Sequence, residues 1–396
     1  MIVLSGGDLV VADRVIPGGS LLLDGGRIRG IESRARIDPA GATVVDASGC
    51  YVVPGFVDVH VHGIEGFDTL DEGQPVAEIA ARLPRYGVTA FCPTTVACPP
   101  AQLTGVLAQV AAARARRNPR TARVLPAHLE SNFINPEYNG AQPLDCLRMP
   151  QGRTAGEFSG ADILDAIARA RADVGIVTLA PELPGGIDLV RALASAGHRV
   201  SLGHSGASFD EAIAAIDAGA RHATHLFNRM TPMTHRSPGL PGAVLAREEV
   251  AAELICDGHH VHPAMCRVAI AAKGVHGVIA ITDGTGGSGL TPGSTARLGG
   301  RRIRVSDGAA VLDDGTLAGS TLTMDRAFRM IVSRFGCSLV DAAAMCSAAP
   351  ARAMGMSGSG VIAEGAAADL VLLDRDFRVV ATYIDGEPVY RSGATA

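Results

Sequence analysis

The sequence predicts an α/β protein: a (β/α)8 barrel of the TIM type, with a small β-sandwich domain built from both termini. Three observations predict this fold. The middle of the chain contains eight short apolar runs bounded by turn residues, Ala-rich helical patterns follow several of these runs, and both ends of the chain contain only short strand patterns. Repeated strand–helix units imply parallel strands, and eight such units are typical of a closed barrel.

The two ends of the chain have strand patterns that are too short to bury a core alone. They lie at 9–11, 20–23, 27–31 and 43–45, and again at 369–373, 379–384 and 388–390. We therefore predict that residues 1–53 and 356–396 pair into one β-sandwich domain, and that residues 54–355 form the barrel.

The barrel elements follow from the change of hydrophobic period along the middle of the chain. Strands are predicted at 56–62, 89–95, 124–130, 175–179, 199–204, 222–227, 252–256 and 277–282. Helices are predicted at 72–86, 101–117, 161–172, 209–218 and 263–272.

Composition excludes several classes of protein. The net charge is −5 and no basic run is typical of nucleic-acid binding. No apolar stretch reaches the roughly 18 residues that a membrane span requires, and the N-terminus lacks the basic region of a signal peptide. The eight cysteines form no C-x-x-C pair, which favours reduced thiols over disulfides. We therefore expect a cytoplasmic protein without a nucleic-acid or membrane partner.

The first candidate site is the pair His60 and His62 at the end of the first barrel strand. Side chains two residues apart on a strand point to the same face, so both imidazoles can bind one cation. Imidazole is a good ligand for zinc, iron and similar metals.

Further ionisable side chains end other predicted strands. The active site of such a barrel lies at the C-terminal ends of its strands, so these side chains should converge there. A cluster of imidazoles and carboxylates predicts a metal-assisted hydrolase. Its members are His60, His62, Glu130, His204, His225 and Asp283. The loop after the seventh strand opens onto the same face, which makes His260 a candidate substrate contact.

This combination resembles the amidohydrolase superfamily. Many members have a carbamylated lysine after the fourth strand, but residues 178–182 contain no lysine, and Glu130 would take its place. With this substitution, local motifs over nearly the whole chain resemble the N-acetylglucosamine-6-phosphate deacetylase family. They lie at 54–62, 128–130, 202–205, 224–228, 235–239, 257–261, 282–283, 317–320, 350–352, 365–370 and 384–386.

The resemblance implies the roles of the metal ligands. Glu130, His204 and His225 would hold one divalent cation, while His60 and His62 would complete a second cation site that shares Glu130. One or two metals per subunit are both left open; zinc is the first choice, with iron, manganese or cobalt as alternatives. The cation would supply hydroxide near neutral pH, with Asp283 as general base and then general acid.

The resemblance also implies the substrate, an N-acetyl amino-sugar 6-phosphate, whose acetamide is hydrolysed to amine and acetate. Asn228, Arg236 and His260 would contact it. Because the phosphate-binding arginine of this family can come from the partner subunit, a homodimer is implied. Three departures from the family pattern fall near the sugar pocket: Ser131 and Asn132 in place of Gly-Pro, Gln142 at a histidine position and Arg229 at an alanine position. Of these, Gln142 and Arg229 count as substrate contacts.

Other functions remain open at this stage. The substrate could be N-acetylgalactosamine 6-phosphate or another N-acyl compound. A cyclic amide hydrolase of the dihydroorotase type is weakened by the missing lysine after the fourth strand. A barrel that serves only as a binding scaffold is disfavoured, because a scaffold has no need of Asp283.

Overall fold

The structure, a computed structural model, describes residues 1–33, 41–151, 156–306 and 308–393. It confirms the (β/α)8 barrel. Eight parallel strands follow one another around the barrel in chain order. They are β1 (Phe56–Val61), β2 (Val88–Thr95), β3 (Ala127–Glu130), β4 (Val174–Leu179), β5 (Arg199–Leu202), β6 (His222–Ala223), β7 (Ala251–Ile255) and β8 (Val278–Ile281).

The barrel closes between β1 and β8. Val61 forms a parallel bridge with Gly284, and the backbone N–H of His62 donates to the carbonyl of Gly284 at 2.8 Å. The predicted strand 124–130 is divided into Arg123–Val124 and Ala127–Glu130, because Pro126 lacks the N–H group that a continuous ladder requires. Closure brings the C-terminal ends of all eight strands to one face.

Helices cover the outside of the barrel. Three of them, Gly160–Arg169, Phe209–Asp217 and Leu339–Ala343, begin at capping boxes in which Ser159, Ser208 and Ser338 accept from the third helical N–H. We did not predict the helices after the fourth, sixth and eighth strands. The helices are α1 (Pro75–Arg82), α2 (Pro100–Ala115), α3 (Gly160–Arg169), α4 (Gly186–Ser195), α5 (Phe209–Asp217), α6 (Gly239–Ala246), α7 (Pro263–Lys273), α8 (Met324–Ser333), α9 (Leu339–Ala343) and α10 (Ala349–Ala353).

An insertion of four antiparallel strands separates β8 from α8, and we did not predict it. We call it the insertion sheet, and it consists of Thr295–Leu298, Arg301–Ser306, Ala309–Val311 and Leu317–Ser320. Its core of Leu298, Ile303 and Leu312 packs against Val96, which follows β2. The insertion sheet therefore lies beside the mouth of the barrel. A short hairpin of Gly63–Ile64 and Phe67–Asp68 follows β1.

The two ends of the chain meet in one further sheet of eight strands. Tyr51–Pro54 pairs antiparallel with Leu370–Leu373, so that Val53 lies opposite Val371. The strands are Ile2–Val10, Val15–Asp24, Arg27–Glu32, Thr43–Asp46, Tyr51–Pro54, Leu370–Leu373, Val379–Ile384 and Glu387–Arg391. Whether residues 1–53 and 356–396 form a domain with those boundaries stays a prediction.

The composition argued against membrane spans and disulfides, and the structure bears on both. In the part of the chain that the structure describes, no helix is both long enough and apolar enough to cross a membrane. All eight cysteines are free thiols.

Arg123 links the barrel to the terminal sheet. Its guanidinium donates to Asp369 Oδ1 at 2.8 Å and to Asp385 Oδ1 at 2.6 Å. The side chains of Arg123 and Asp369 are only 16% and 3% exposed. Breaking this pair leaves Asp369 buried without its cation.

We therefore expect Arg123→Met to lower the free energy of unfolding by about 3 kcal/mol, since removing one partner of a buried ion pair strands the other charge. Urea denaturation followed by circular dichroism measures the change. Arg378→Met is the matched control, because the Arg378–Asp376 pair is 71% exposed on both sides and should change stability by less than about 1 kcal/mol. Equal effects of the two substitutions would contradict the assignment.

Candidate active site

The predicted ionisable residues meet at the C-terminal face of the barrel. His60 lies in β1 and Glu130 ends β3, while His204, His225 and Asp283 each follow the end of a strand by two residues. All five side chains are buried, with 0–5% of their surface exposed. Convergence of strand ends therefore brings together residues that are far apart in sequence.

Three of these residues adopt left-handed backbone conformations. The φ angles are +49° at His204, +30° at His225 and +49° at Asp283. Our predicted strand ends at 204 and 227 are wrong, because β5 ends at Leu202 and β6 ends at Ala223. Non-glycine residues in this region cost on the order of 1–3 kcal/mol each, and such strain is concentrated at functional sites.

Glu130 lies at the centre of the cluster. Its Oε1 is 2.9 Å from Nε2 of His204 and 2.9 Å from Nε2 of His225, and these two nitrogens are 3.0 Å apart. Its Oε2 lies 3.5 Å from Nε2 of His62. One carboxylate thus contacts two groups of imidazoles at once.

The second group contains His60, His62 and Asp283. The two Nε2 atoms of the histidines are 3.2 Å apart, and Asp283 Oδ1 lies 3.3 Å from each. Gly319 packs against the backbone here: a Cβ at this glycine would lie 2.8 Å from the carbonyl oxygen of Asp283. The insertion sheet also holds Asp283, because its carbonyl accepts from the backbone N–H of Ser320 at 2.7 Å.

The donor set fits a divalent cation. Nδ1 of His204 lies 2.7 Å from the carbonyl oxygen of Tyr138, which can only accept, so Nδ1 carries the hydrogen. In the neutral ring, Nε2 then carries no hydrogen, and its lone pair faces the carboxylate oxygen of Glu130. Two lone pairs at 2.9 Å repel each other unless positive charge lies between them. Glu130, His204 and His225 form one compact group with metal-ligand chemistry, and His60, His62 and Glu130 form another.

The electrostatics of the cluster favour positive charge. Burial alone lowers the pKa of His62, but hydrogen bonds to Asp283 and Glu130 outweigh it and raise that pKa to about 10. Burial also lowers the pKa of His225, but the hydrogen bond to Glu130 and the charge of that carboxylate outweigh burial and raise the pKa to about 9. For Glu130, burial raises the pKa, while His204 and the other imidazoles bring it well below its usual value.

Gln142 is directed toward Glu130. Its Nε2 donates to Glu130 Oε2, and its Oε1 accepts from the backbone N–H of Ala97 at 2.7 Å. Both ends of the amide are therefore engaged by protein groups, so in this structure Gln142 orients the carboxylate at the centre of the cluster.

A cavity opens above the cluster, between the strand ends and the insertion sheet. Nine of the eleven predicted site residues line it: His62, Glu130, Gln142, His204, His225, Asn228, Arg229, His260 and Asp283. Leu298, Leu317 and Gly319, in strands of the insertion sheet, also line it. His60 is fully buried below the cavity, and Arg236 is an exposed residue that does not line it.

The candidate substrate contacts differ in how firmly they are held. Nδ1 of His260 lies 2.6 Å from Asp257 Oδ2, which leaves Nε2 for a ligand. Nδ2 of Asn228 donates to the carbonyl of His225 at 3.2 Å. Arg229 packs over Gly140, and among the described residues its guanidinium has no hydrogen-bond or ion-pair partner.

Glu253 is a functional-site residue that we did not predict from the sequence. It lies in the middle of β7 and is completely buried. Its carboxylate oxygens lie 2.9 Å from ring nitrogens of His60 and His222. Asp58 in β1 is a second buried carboxylate of this kind. The available signal was a carboxylate within an apolar run, because fully buried charges are rare unless they are paired.

The amidohydrolase family model matches residues 51–389. A Rattus norvegicus N-acetylglucosamine-6-phosphate deacetylase is 37% identical, over 98% of this chain and 94% of the relative. An Escherichia coli O157:H7 N-acetylgalactosamine-6-phosphate deacetylase is 35% identical, over 89% and 91%. A solved structure of a mutant N-acetyl-D-glucosamine-6-phosphate deacetylase from Mycobacterium smegmatis, in complex with N-acetyl-D-glucosamine-6-phosphate, has a TM-score of 0.88 and 31% identity, over 98% of this chain and 99% of that one.

Glu130→Gln should abolish the thermal stabilisation that Zn²⁺ gives to the chelator-treated protein, because the amide removes the negative charge shared by both imidazole groups. A cation at one hundred times its Kd stabilises the folded state by about 2.7 kcal/mol. Differential scanning fluorimetry with and without Zn²⁺ measures the effect. Glu137→Gln, at an exposed position outside the cluster, is the control and should respond like the unmodified protein. A full Zn²⁺ response in Glu130→Gln would contradict the site.

Proposed function

Because the chain belongs to the N-acetylglucosamine-6-phosphate deacetylase family of the amidohydrolases, we propose that it hydrolyses N-acetylglucosamine 6-phosphate to glucosamine 6-phosphate and acetate. The observation that carries the proposal is the contact of Glu130 with both imidazole groups at the floor of the cavity, with Asp283 beside them. This arrangement has the ligands and the proton carrier that amide hydrolysis requires.

The metal site is part of the proposal. Glu130, His204 and His225 would hold one divalent cation, with zinc as the first choice because imidazole and carboxylate are its usual ligands. His60 and His62, together with Glu130, would hold a second cation. When bound, the cation acts as a Lewis acid toward the amide carbonyl and lowers the pKa of coordinated water.

Asp283 moves the proton. Its carboxylate lines the cavity beside His62, and although burial raises its pKa, the charges of His60 and His62 lower it more, so that it is ionised and can accept a proton. It takes the proton that water loses as the oxygen bonds to the acetamide carbon. It then gives the proton to nitrogen as the C–N bond breaks, since an amine leaves only when it is protonated.

The other lining residues bind the sugar phosphate. His260, oriented by Asp257, and Asn228 donate to sugar hydroxyl or phosphate oxygens. Arg229 is free among the described residues and can bind the phosphate from within the same subunit. Gln142 is assigned to Glu130 and acts on the substrate only through it.

The assembly and the compartment are also proposals. Arg236 is exposed and lies outside the cavity of its own subunit, which supports a homodimer in which it reaches the partner's site. The eight free thiols support a cytoplasmic location, where cysteines stay reduced.

N-Acetylgalactosamine 6-phosphate is the second candidate substrate. The Escherichia coli relative that is named for this substrate is 35% identical, and the 4-hydroxyl that distinguishes the two sugars has no assigned partner here. Acetate release from the two sugar phosphates, measured side by side, decides between them.

We expect Asp283→Asn to lower kcat for N-acetylglucosamine 6-phosphate by roughly 10²–10⁴-fold, because the amide cannot accept the proton from water. The unmodified, zinc-loaded protein should release acetate. A coupled acetate assay measures turnover, and elemental analysis of the same samples measures bound metal.

The metal content of Asp283→Asn should equal that of the unmodified protein. Undiminished turnover in the variant would remove Asp283 from the mechanism. No acetate release by the unmodified protein from either sugar phosphate would overturn the proposed function.

Arg229→Ala should raise KM for N-acetylglucosamine 6-phosphate by about tenfold or more and leave KM for N-acetylglucosamine nearly unchanged, because a guanidinium–phosphate contact is worth about 1.5–3 kcal/mol. Steady-state kinetics with both compounds measures the difference. Arg236→Ala is the matched comparison: it should raise the same KM only if Arg236 reaches the partner's site. Equal changes of KM for the two compounds in Arg229→Ala would exclude phosphate binding by Arg229.

A further inference from the structure

We propose that Glu253 is a positioning residue that fixes the ring of His60 with its Nε2 lone pair toward the cavity, where His60 and His62 would hold the second cation. The proposal rests on the proposed function for the presence of a bound cation. It adds a residue below the site, and a chain of hydrogen bonds behind that residue, to the groups that line the cavity.

Glu253 is completely buried and accepts from three directions. Its Oε2 is 2.9 Å from Nδ1 of His60 and accepts from the backbone N–H of His225 at 3.2 Å. Its Oε1 is 2.9 Å from Nε2 of His222. The carboxylate thus contacts one residue from each imidazole group of the site, and both of its oxygens are engaged.

Arg199 determines which hydrogen His222 carries. Nε of Arg199 donates to Nδ1 of His222 at 2.9 Å, and a guanidinium has no acceptor atom. Nδ1 of the neutral ring therefore accepts, and Nε2 carries the hydrogen toward Glu253. Two further bonds hold Arg199, to the carbonyl oxygens of Ala353 at 3.2 Å and Arg221 at 3.0 Å.

Glu253 in turn determines which ring nitrogen of His60 carries the hydrogen. Because Oε2 of Glu253 acts as an acceptor, Nδ1 of His60 carries the hydrogen and Nε2 presents its lone pair to the cavity. That Nε2 lies 3.2 Å from Nε2 of His62 and 3.3 Å from Asp283 Oδ1. A carboxylate that orients an imidazole in this way is a common partner of metal-bound histidine.

The same arrangement occurs in the other group. The carbonyl of Tyr138 orients His204 as Glu253 orients His60. Nδ1 of His62 and Nδ1 of His225 have no hydrogen-bond partner among the described residues. Each group therefore combines one oriented ring with one that is free to adjust, as two parallel cation positions would.

His128 is also close to Glu253, with Nδ1 at 3.7 Å from Oε1, but it is not a ligand in this scheme. Its Nδ1 donates to the carbonyl of Val59 at 3.0 Å, and its Nε2 is 2.7 Å from Oγ1 of Thr178. Both ring nitrogens are thus engaged by protein groups, which excludes a cation between His60, His128 and Glu253.

The test is Glu253→Gln. Because His222 presents an N–H, the amide oxygen must face His222 and the amide N–H₂ must face His60, so the hydrogen of His60 moves to Nε2. Chelator-treated protein is titrated with Co²⁺ alone, and bound equivalents and the visible spectrum are recorded. We expect two equivalents for the unmodified protein, and a Kd for the second that rises by about 10–100-fold in Glu253→Gln.

Asp58→Asn is the matched control. Asp58 is equally buried and accepts from the backbone N–H of His60 at 3.3 Å and from Thr282 Oγ1 at 2.6 Å, but it contacts no imidazole nitrogen. It should retain both Co²⁺ equivalents. Should Glu253→Gln not fold, Arg199→Met, which breaks the same chain at its outer end, must weaken the second equivalent.

Three results would overturn the proposal: binding of a single Co²⁺ equivalent by the unmodified protein, unchanged binding of both equivalents by the folded variant, or the same loss in Asp58→Asn. These results are distinct from failure of the proposed function. If the proposed function is wrong, no acetate is released from either sugar phosphate, but Co²⁺ binding still depends on Glu253.

Discussion

The site depends on one buried carboxylate. Glu130 is the only described residue whose two oxygens lie within 3.5 Å of imidazoles from both groups, at 2.9 Å from His204 and His225 and 3.5 Å from His62. Gln142 fixes its orientation from the side. Removing water from so many ionisable groups is costly, and the cost is offset only when opposite charges are held at short distances. The left-handed backbone at His204 and His225 is tolerated because it holds these rings at short distances from Glu130.

Much of the fold could be predicted from the sequence, because strand and helix patterns alternate with different periods and the candidate ligands recur where strands end. The exact ends of the strands could not be predicted as well. His204, His225 and Asp283 occupy left-handed conformations that no local pattern favours for these residue types, so only tertiary contacts can impose them. The insertion sheet was missed for another reason: its apolar core is small and packs on a loop of the barrel. Glu253 was missed because it lies inside a strand.

The interior of the barrel is polar along one line. Arg199, His222, Glu253 and His60 form consecutive contacts of 2.9 Å, from the beginning of β5 to the mouth of the barrel. A buried polar group without a partner costs stability, but here every member of the line has a partner. The chemistry of the mouth is therefore connected to residues that a substrate never meets.

The terminal sheet has a consequence for synthesis. Tyr51–Pro54 finds its partner in Leu370–Leu373, which is translated more than three hundred residues later. The strands before Tyr51–Pro54 can pair with one another as soon as they are made. At about 5–20 residues per second, however, the edge of Tyr51–Pro54 that pairs with Leu370–Leu373 waits for tens of seconds before those hydrogen bonds can form. During this interval that edge is open to wrong pairing, and on the ribosome it is the part of the sheet that a chaperone would have to protect.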